Sequence, residues 1–176
     1  MSAGARATVL AGSGREPALL PPVGPRERRS VYLQPGQVFA SPEPTEATTV
    51  LGSCVAVCLW DRRLRIGGAN HFLLPYLADG ATASPRYGNV AIERLIRDLE
   101  RLGSRTEDLA SKVFGGASVL EAFRDERAHL GTKNVELARR ILDAHAIPIV
   151  AEDVMGVRGR KLVFHTDSGI ALVRLL

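Results

Sequence analysis

The sequence has few of the features that mark secreted, membrane or metal-binding proteins. Among 176 residues there are two cysteines and one tryptophan, and aromatic residues make up 5%. No apolar run approaches the ~20 residues that a membrane-spanning helix needs. Charged residues also interrupt the N-terminus where a secretory signal would place its apolar segment. We therefore expect a cytoplasmic protein with no membrane insertion.

The two cysteines, Cys54 and Cys58, are predicted to be free thiols. They lie four residues apart in a segment with strand composition, where a rise of ~3.3 Å per residue would separate their Cα atoms by about 13 Å. A disulfide needs Cα atoms within ~7 Å of each other. The histidines show no paired ligand spacing, and the pair Gly115-Gly116 lacks the spacing of a nucleotide-binding loop and is predicted to be a tight turn. Neither a metal nor another cofactor is expected.

The net charge of +4 is concentrated near the N-terminus. Five arginines and two glutamates give residues 1–30 a charge of +3, which leaves +1 for the rest of the chain. Residues 1–30 also contain several prolines and glycines without apolar periodicity, so they are predicted to form a disordered basic leader. Residues 31–176 are predicted to be a single domain that carries the function. Without a basic stripe and stacking aromatic residues, no nucleic-acid partner is expected.

Two periodicities alternate through residues 31–176. Apolar residues three and four apart predict two helices: one begins near Asn89, its predicted N-cap, and stops at Gly103, and the other ends before Pro148. This pattern predicts an α+β fold, a layered sandwich of mostly antiparallel, mixed β-sheet with two main helices packed against it. The segments with strand composition are 31–33, 37–40, 48–51, 55–60, 66–74, 112–114, 147–151, 161–166 and 170–175.

One predicted hairpin brings a cysteine opposite a histidine. Residues 61–64 have turn composition, and a regular loop there makes the numbers of opposed residues add up to 125, which pairs Cys54 with His71. Directly opposed side chains of an antiparallel pair have Cβ atoms ~4.5 to 5.5 Å apart. A bulge at Gly67-Gly68 would change this register.

A thiol beside an imidazole predicts nucleophilic catalysis. The thiolate is the reactive form, and a cysteine with a pKa near ~8.5 is only slightly ionised at neutral pH. A neighbouring histidine can take the thiol proton. Gly52 and Ser53 predict a sharp bend that exposes the sulfur of Cys54 and frees backbone N–H groups to hold an oxyanion. Cys58 lies inside the apolar run and is predicted to be a core residue.

Several segments resemble the chemoreceptor glutamine deamidase family, CheD. The resemblance is closest in residues 48–58, TTVLGSCVAVC, and in residues 66–75, IGGANHFLLP. It covers about residues 31–176 in the order of the family. The other matching segments are 87–89, 112–117, 134–136, 147–153 and 158–160.

The resemblance implies a cysteine hydrolase related in fold to glutamine-deamidating bacterial toxins. It implies that Cys54 is the nucleophile, that His71 is the general base, and that Thr48, six residues before Cys54, orients His71. The adjacent Thr49 is an alternative for the third role. Because the family commonly has another residue where His165 stands, the resemblance implies no role for that histidine.

The implied activity is that of a protein-glutamine glutaminase. It converts glutamine to glutamate on methyl-accepting chemotaxis receptors, and the same chemistry permits hydrolysis of glutamyl methyl esters. A CheC-type phosphatase is an implied partner. Two other functions fit the same residues: a non-catalytic adaptor that binds receptor or phosphatase, and a thiol hydrolase that acts on another amide. The presence of Cys54, His71 and Thr48 argues against the adaptor.

Overall fold

The structure, a computed structural model, describes residues 27–77, 80, 82–118 and 124–176. These residues form nine strands, two α-helices and one short 3-10 helix, Thr106–Asp108. In chain order the main elements are β1 Arg29–Tyr32, β2 Gln37–Ser41, β3 Thr45–Leu51, β4 Val55–Asp61, β5 Ile66–His71, α1 Gly88–Arg101, β6 Leu109–Gly115, α2 Arg124–Ala144, β7 Ile149–Val154, β8 Arg160–His165 and β9 Ala171–Leu175.

The strands form two mixed sheets. The first has four strands in the order β1-β3-β8-β9, and the second has five in the order β2-β5-β4-β6-β7. The pairs β1–β3 and β6–β7 are parallel, and the other neighbouring pairs are antiparallel. The predicted α+β sandwich of mostly antiparallel sheet with two main helices is therefore confirmed.

Strand β4 is buried on both faces and lies at the centre of the layers. Val55, Val57 and Leu59 pack with the two helices, whereas Ala56 and Cys58 pack with the four-stranded sheet. The layers are thus helices, five-stranded sheet and four-stranded sheet. Burial on two sides explains why β4 has a continuous apolar sequence rather than an alternating one.

Strand β3 alternates between its two faces, as a strand of an outer layer should. Its odd-numbered residues from 45 to 51 are buried, and its even-numbered residues are half-buried or exposed. Successive side chains of a strand point to opposite faces. Thr49 therefore points into the domain, and Thr48 points towards its outer surface.

The register of the β4–β5 hairpin differs from the predicted one. Opposed residue numbers add up to 127, as in the pair Asp61 and Ile66, so the loop is residues 62–65. The buried carboxylate of Asp61 accepts a hydrogen bond from the backbone N–H of Leu64 at 2.9 Å, and its carbonyl accepts one from Arg65 at 2.8 Å. These bonds keep Asp61 in the strand and move the loop one residue towards the C-terminus.

The alternative of a bulge at Gly67-Gly68 was also wrong, because the pairing with β4 continues through both residues. Gly68 has a different role. A Cβ atom added there would lie 2.4 Å from the carbonyl oxygen of Phe39 and 2.8 Å from a methyl group of Leu95. The absence of a side chain lets strand β2 and helix α1 approach this part of β5.

Several predicted elements have other limits in the structure: the strands predicted at 48–51, 112–114 and 147–151 extend over 45–51, 109–115 and 149–154, and the limits of α1 and β5 also differ. Helix α1 begins at Gly88 with Tyr87 as its N-cap, so Asn89 lies inside the first turn, where its side chain accepts a hydrogen bond from the backbone N–H of Leu77. Gly103, with φ of +97°, follows the helix end as predicted. Strand β5 ends at His71 rather than at residue 74. Its continuation turns away because the N–H groups of residues 73 and 74 both donate to the Arg86 carbonyl.

The folded part of the chain begins before residue 31. Arg29 and Ser30 already belong to β1, and the Arg28 guanidinium pairs with the Asp167 carboxylate at 2.7 Å. Residues 1–26, which make up most of the predicted leader, lie outside the described residues.

Candidate active site

Cys54 lies in a bend between β3 and β4 and is half-buried. The bend is held against the end of β6 by two backbone hydrogen bonds. The Cys54 carbonyl accepts one from Gly116 at 2.8 Å, and the Gly52 carbonyl accepts one from Ala117 at 2.7 Å. A fixed backbone around a partly exposed sulfur is the arrangement that a nucleophile needs.

The predicted tight turn at Gly115-Gly116 is not formed: Gly115 is the last residue of β6, paired with Val55, and Gly116 donates to the Cys54 carbonyl of the bend. Gly115 has φ of +109°, and a Cβ atom added there would lie 2.1 Å from the Cys54 carbonyl oxygen. The guanidinium of Arg160, a buried residue, donates to the Gly115 carbonyl at 2.8 Å and also binds the carbonyls of Asp153 and Met155. Arg160 therefore supports the end of β6, against which the Cys54 bend packs.

His71, at the end of β5, is buried, and one ring nitrogen has a defined partner. The Nδ1 atom lies 2.8 Å from the Thr49 hydroxyl oxygen, which in turn donates to the Leu33 carbonyl at 2.8 Å. A hydroxyl has one hydrogen. Because the carbonyl takes that hydrogen, Nδ1 carries the ring proton and donates it to Thr49. The other nitrogen, Nε2, is then the basic one, and it has no hydrogen-bond partner among the described residues.

The third residue of the site differs from the expectation. Thr48, which the resemblance places beside His71, lies on the outward face of β3 opposite Tyr32 and Val163 of the neighbouring strands. Thr49 makes the bond to His71. The alternation of β3 contained this information, because Glu46 shares the face of Thr48 and a charged residue marks the outward side.

Cys54 and His71 share one face of the hairpin but are not directly opposed. Val55 and Phe72 exchange two backbone hydrogen bonds of 3.1 and 3.0 Å, and Cys54 and His71 each come one residue before this pair. Cys54 is therefore diagonal to His71, and diagonal neighbours lie ~7 to 8 Å apart, with a somewhat shorter distance between their Cβ atoms. Catalytic hydrogen bonds are often long before substrate binds, so this separation is compatible with proton transfer in the substrate complex.

Burial favours the neutral form of both groups. It raises the pKa of Cys54, an effect that the residue's own backbone N–H partly opposes. Burial also lowers the pKa of His71, and the Leu33 carbonyl partly opposes that shift. A charged group loses hydration when it is buried, which explains both directions. The resting pair is therefore a thiol and a neutral imidazole that can act as a general base.

The backbone near the sulfur has free donors. The N–H groups of Ser53 and Cys54 donate to no acceptor among the residues that the structure describes. The Cys54 N–H also lies near its own sulfur, where it lowers the pKa of the thiol. Backbone donors at this position suit an oxyanion that forms when the sulfur attacks a carbonyl.

The other candidate residues lie elsewhere. Both cysteines are free thiols, as predicted, and Cys58 is buried in the core. His145 pairs with Glu93 at 2.9 Å, and His165 lies 3.4 Å from Glu46 on another strand. Within the described ranges, no group of three or more His, Cys, Asp or Glu side chains could hold a metal ion.

The fold and the site define an α+β protein with a thiol and a threonine-bound imidazole on one face of a hairpin. A family model described as CheD chemotactic sensory transduction matches residues 73–175. A protein of Anaeromyxobacter dehalogenans (strain 2CP-C), named probable chemoreceptor glutamine deamidase CheD 1, is 50% identical over 97% of this chain and 99% of its own length. A Sulfurimonas denitrificans protein, named probable chemoreceptor glutamine deamidase CheD, is 41% identical over 84% of this chain and 95% of its own. The chain belongs to the CheD family.

Among solved structures, the crystal structure of the hypothetical protein YfiH of Bacillus licheniformis aligns with a TM-score of 0.41 and 14% sequence identity. The alignment covers 68% of this chain and 49% of that one. A likeness of this degree carries no argument about the site.

The two adjacent threonines provide a matched test of the site geometry. Thr49→Val should slow alkylation of Cys54 by iodoacetamide at neutral pH by about tenfold, because His71 loses the bond that fixes its tautomer. It should also lower the free energy of unfolding by ~1 to 3 kcal/mol, since the buried Leu33 carbonyl loses its donor. Thr48→Val, on the outward face, should have little effect on the alkylation rate of Cys54 or on the free energy of unfolding. A slower reaction in Thr48→Val with Thr49→Val unaffected would assign the role to Thr48.

The lowered pKa of His71 predicts a pH dependence of stability. The unfolded chain takes up a proton on this histidine near pH ~6.5, whereas the folded protein does so only at lower pH. Stability from the neutral ring is therefore present above that value and is lost as the pH falls towards the folded pKa. Urea unfolding should show a larger loss between about pH 7.5 and 5 for the wild type than for His71→Asn. Equal losses would contradict a buried neutral imidazole.

Proposed function

We propose that this protein deamidates glutamine side chains of methyl-accepting chemotaxis receptors, with Cys54 as nucleophile, His71 as general base and Thr49 as the residue that orients His71. The observation that carries the chemistry is the Thr49–Nδ1 bond, which leaves Nε2 basic and, among the described residues, without a hydrogen-bond partner. The substrate class rests on membership of the CheD family and on the names of the relatives.

The proposed first half-reaction forms a thioester. Nε2 of His71 takes the thiol proton while the Cys54 sulfur attacks the side-chain amide carbon of glutamine. The N–H groups of Ser53 and Cys54 hold the oxyanion. His71 then gives its proton to the leaving nitrogen, which departs as ammonia.

The second half-reaction regenerates the thiol. Water attacks the thioester carbon, His71 takes the proton of that water, and collapse of the oxyanion releases the sulfur. The sulfur recovers its proton from His71, and the product is glutamate. Because burial keeps His71 neutral at rest, the ring carries charge only while the reaction supplies a nearby anion, so that no buried charge is left unpaired.

Two further proposals follow from the same chemistry and from the family. A glutamyl methyl ester presents the same acyl carbon with methanol as the leaving group, so we propose methylesterase activity as a second reaction. A CheC-type phosphatase is the second partner that we propose, on the resemblance alone. We also propose that the protein acts in the cytoplasm and that one domain carries the activity. Separately, none of the described helices is long and apolar enough to cross a membrane.

The two cysteines allow a controlled test of the mechanism. Purified wild type incubated with cytoplasmic fragments of receptors should produce the one-dalton mass gain of glutamine conversion to glutamate. Cys54→Ala should abolish it, and Cys58→Ala should retain it, because Cys58 is a core residue remote from solvent. Conversion by Cys54→Ala at the wild-type rate would refute the mechanism. Receptor binding by wild type without conversion would favour the adaptor.

A further inference from the structure

We propose that Asn134 is a positioning residue, whose side-chain amide holds the backbone beside the nucleophile and the backbone beyond the base at a fixed separation. Nδ2 donates to the Ser53 carbonyl at 3.1 Å and to the Leu73 carbonyl at 2.9 Å. Ser53 directly precedes Cys54, and Leu73 follows His71 by two residues.

The geometry of a primary amide makes this contact a spacer. Its two N–H groups lie in one plane at a fixed angle, and each can serve one acceptor. At Asn134 each of the two carbonyls comes from a different segment of the chain. A change in the distance between these segments would therefore break or bend one of the two bonds.

The contact lies where backbone pairing between the two segments stops. The last pair joins Val55 to Phe72, and beyond it the N–H of Leu73 turns to the Arg86 carbonyl. The next hydrogen-bonded pair of an antiparallel ladder would join residues 53 and 74, and it is not formed, because the N–H of Leu74 also donates to the Arg86 carbonyl. Asn134 donates hydrogen bonds to both segments at this point, so its amide takes the place of the backbone hydrogen bonds that the two segments no longer form with each other.

Helix α2 brings Asn134 to this position by packing closely on Gly116, the residue that follows β6. A Cβ atom added to Gly131 would lie 2.4 Å from the Gly116 carbonyl oxygen, and a Val135 methyl group occupies the place beside Gly116. Gly116 in turn donates to the Cys54 carbonyl. The helix is thus linked to the nucleophile bend both through Gly116 and through the Asn134 amide.

Burial shows how Asn134 acts. Its exposed fraction is 0%, so it cannot contact a receptor glutamine and must act through Cys54 and His71. Its Oδ1 atom is buried without a hydrogen-bond partner among the described residues, an unfavourable state for a residue that serves stability alone. The two donated bonds therefore account for an asparagine at this position.

This inference rests on the Cys54–His71 pair of the proposed function, and its test measures that pair without a receptor. In Asn134→Asp the shape is kept but an ionised carboxylate has no N–H to donate. Asn134→Ala removes the amide without adding a buried charge and carries the test if the aspartate variant does not fold. The control is Leu142→Ala, which removes buried apolar atoms of the same helix, about two turns from Asn134.

The readout is the pH profile of Cys54 alkylation by iodoacetamide, followed on the Cys54 peptide by mass spectrometry. A misplacement of about 1 Å can cost ~100-fold in rate, so the Asn134 variants should react at least about tenfold more slowly near neutral pH than Leu142→Ala. Their rates should approach those of His71→Ala. With receptor fragments, kcat should fall and KM should stay unchanged.

The outcomes separate this inference from the proposed function. A wild-type alkylation profile in folded Asn134→Ala, or an equal change in Leu142→Ala, would overturn the positioning role. An altered profile in the Asn134 variants alone supports it. If the wild type converts no receptor glutamine while the alkylation effect is present, the positioning role stands and the proposed substrate does not.

Discussion

The pair of backbone hydrogen bonds between Val55 and Phe72 is the constraint on which the site depends. Both side chains are fully buried on the helix side of the five-stranded sheet. Because neighbouring residues of a strand face opposite ways, anchoring these two side chains places Cys54 and His71 together on the other face. The helix core therefore fixes which side of the sheet carries the chemistry.

The four-stranded sheet provides the remaining residue of the site. It supplies Thr49, whose hydroxyl links the Leu33 carbonyl to Nδ1 of His71. The Thr49 hydroxyl donates to the Leu33 carbonyl and accepts from Nδ1, and this sets the tautomer. The packing between the two sheets therefore determines which ring nitrogen is basic. Movement of one sheet relative to the other by about the length of a hydrogen bond would remove this selection. A neutral hydroxyl orients the ring without adding charge to a site where burial already favours neutral groups.

The sequence predicted the main structural elements and the two reactive residues, but not the hydrogen bonds that position them. The spacing of apolar residues predicted the layers and both helices, and the predicted hairpin placed Cys54 and His71 on one face. The direct opposition was wrong because the Asp61 side chain moves the loop by one residue, an effect of one local hydrogen bond that composition does not reveal. Thr49 was detectable from the alternation of β3, whereas the resemblance favoured Thr48.

Arg160 and Asn134 were beyond prediction from the sequence for a physical reason. Their partners are backbone carbonyls of segments distant along the chain, and every residue has a carbonyl. No pattern of residue types identifies such an acceptor. Only the packing of α2 and β8 against the end of β6 shows which carbonyls lie within reach.

The central claim is that Cys54 forms a thioester with the substrate after attack assisted by His71. It is tested most directly by rapid acid quench of wild type during turnover with a receptor fragment, followed by digestion and mass spectrometry. The account predicts a Cys54 peptide joined to the substrate glutamine peptide with the loss of one ammonia, and release of this adduct by hydroxylamine. Turnover to glutamate with no adduct on Cys54, or with an adduct on another residue, would contradict it.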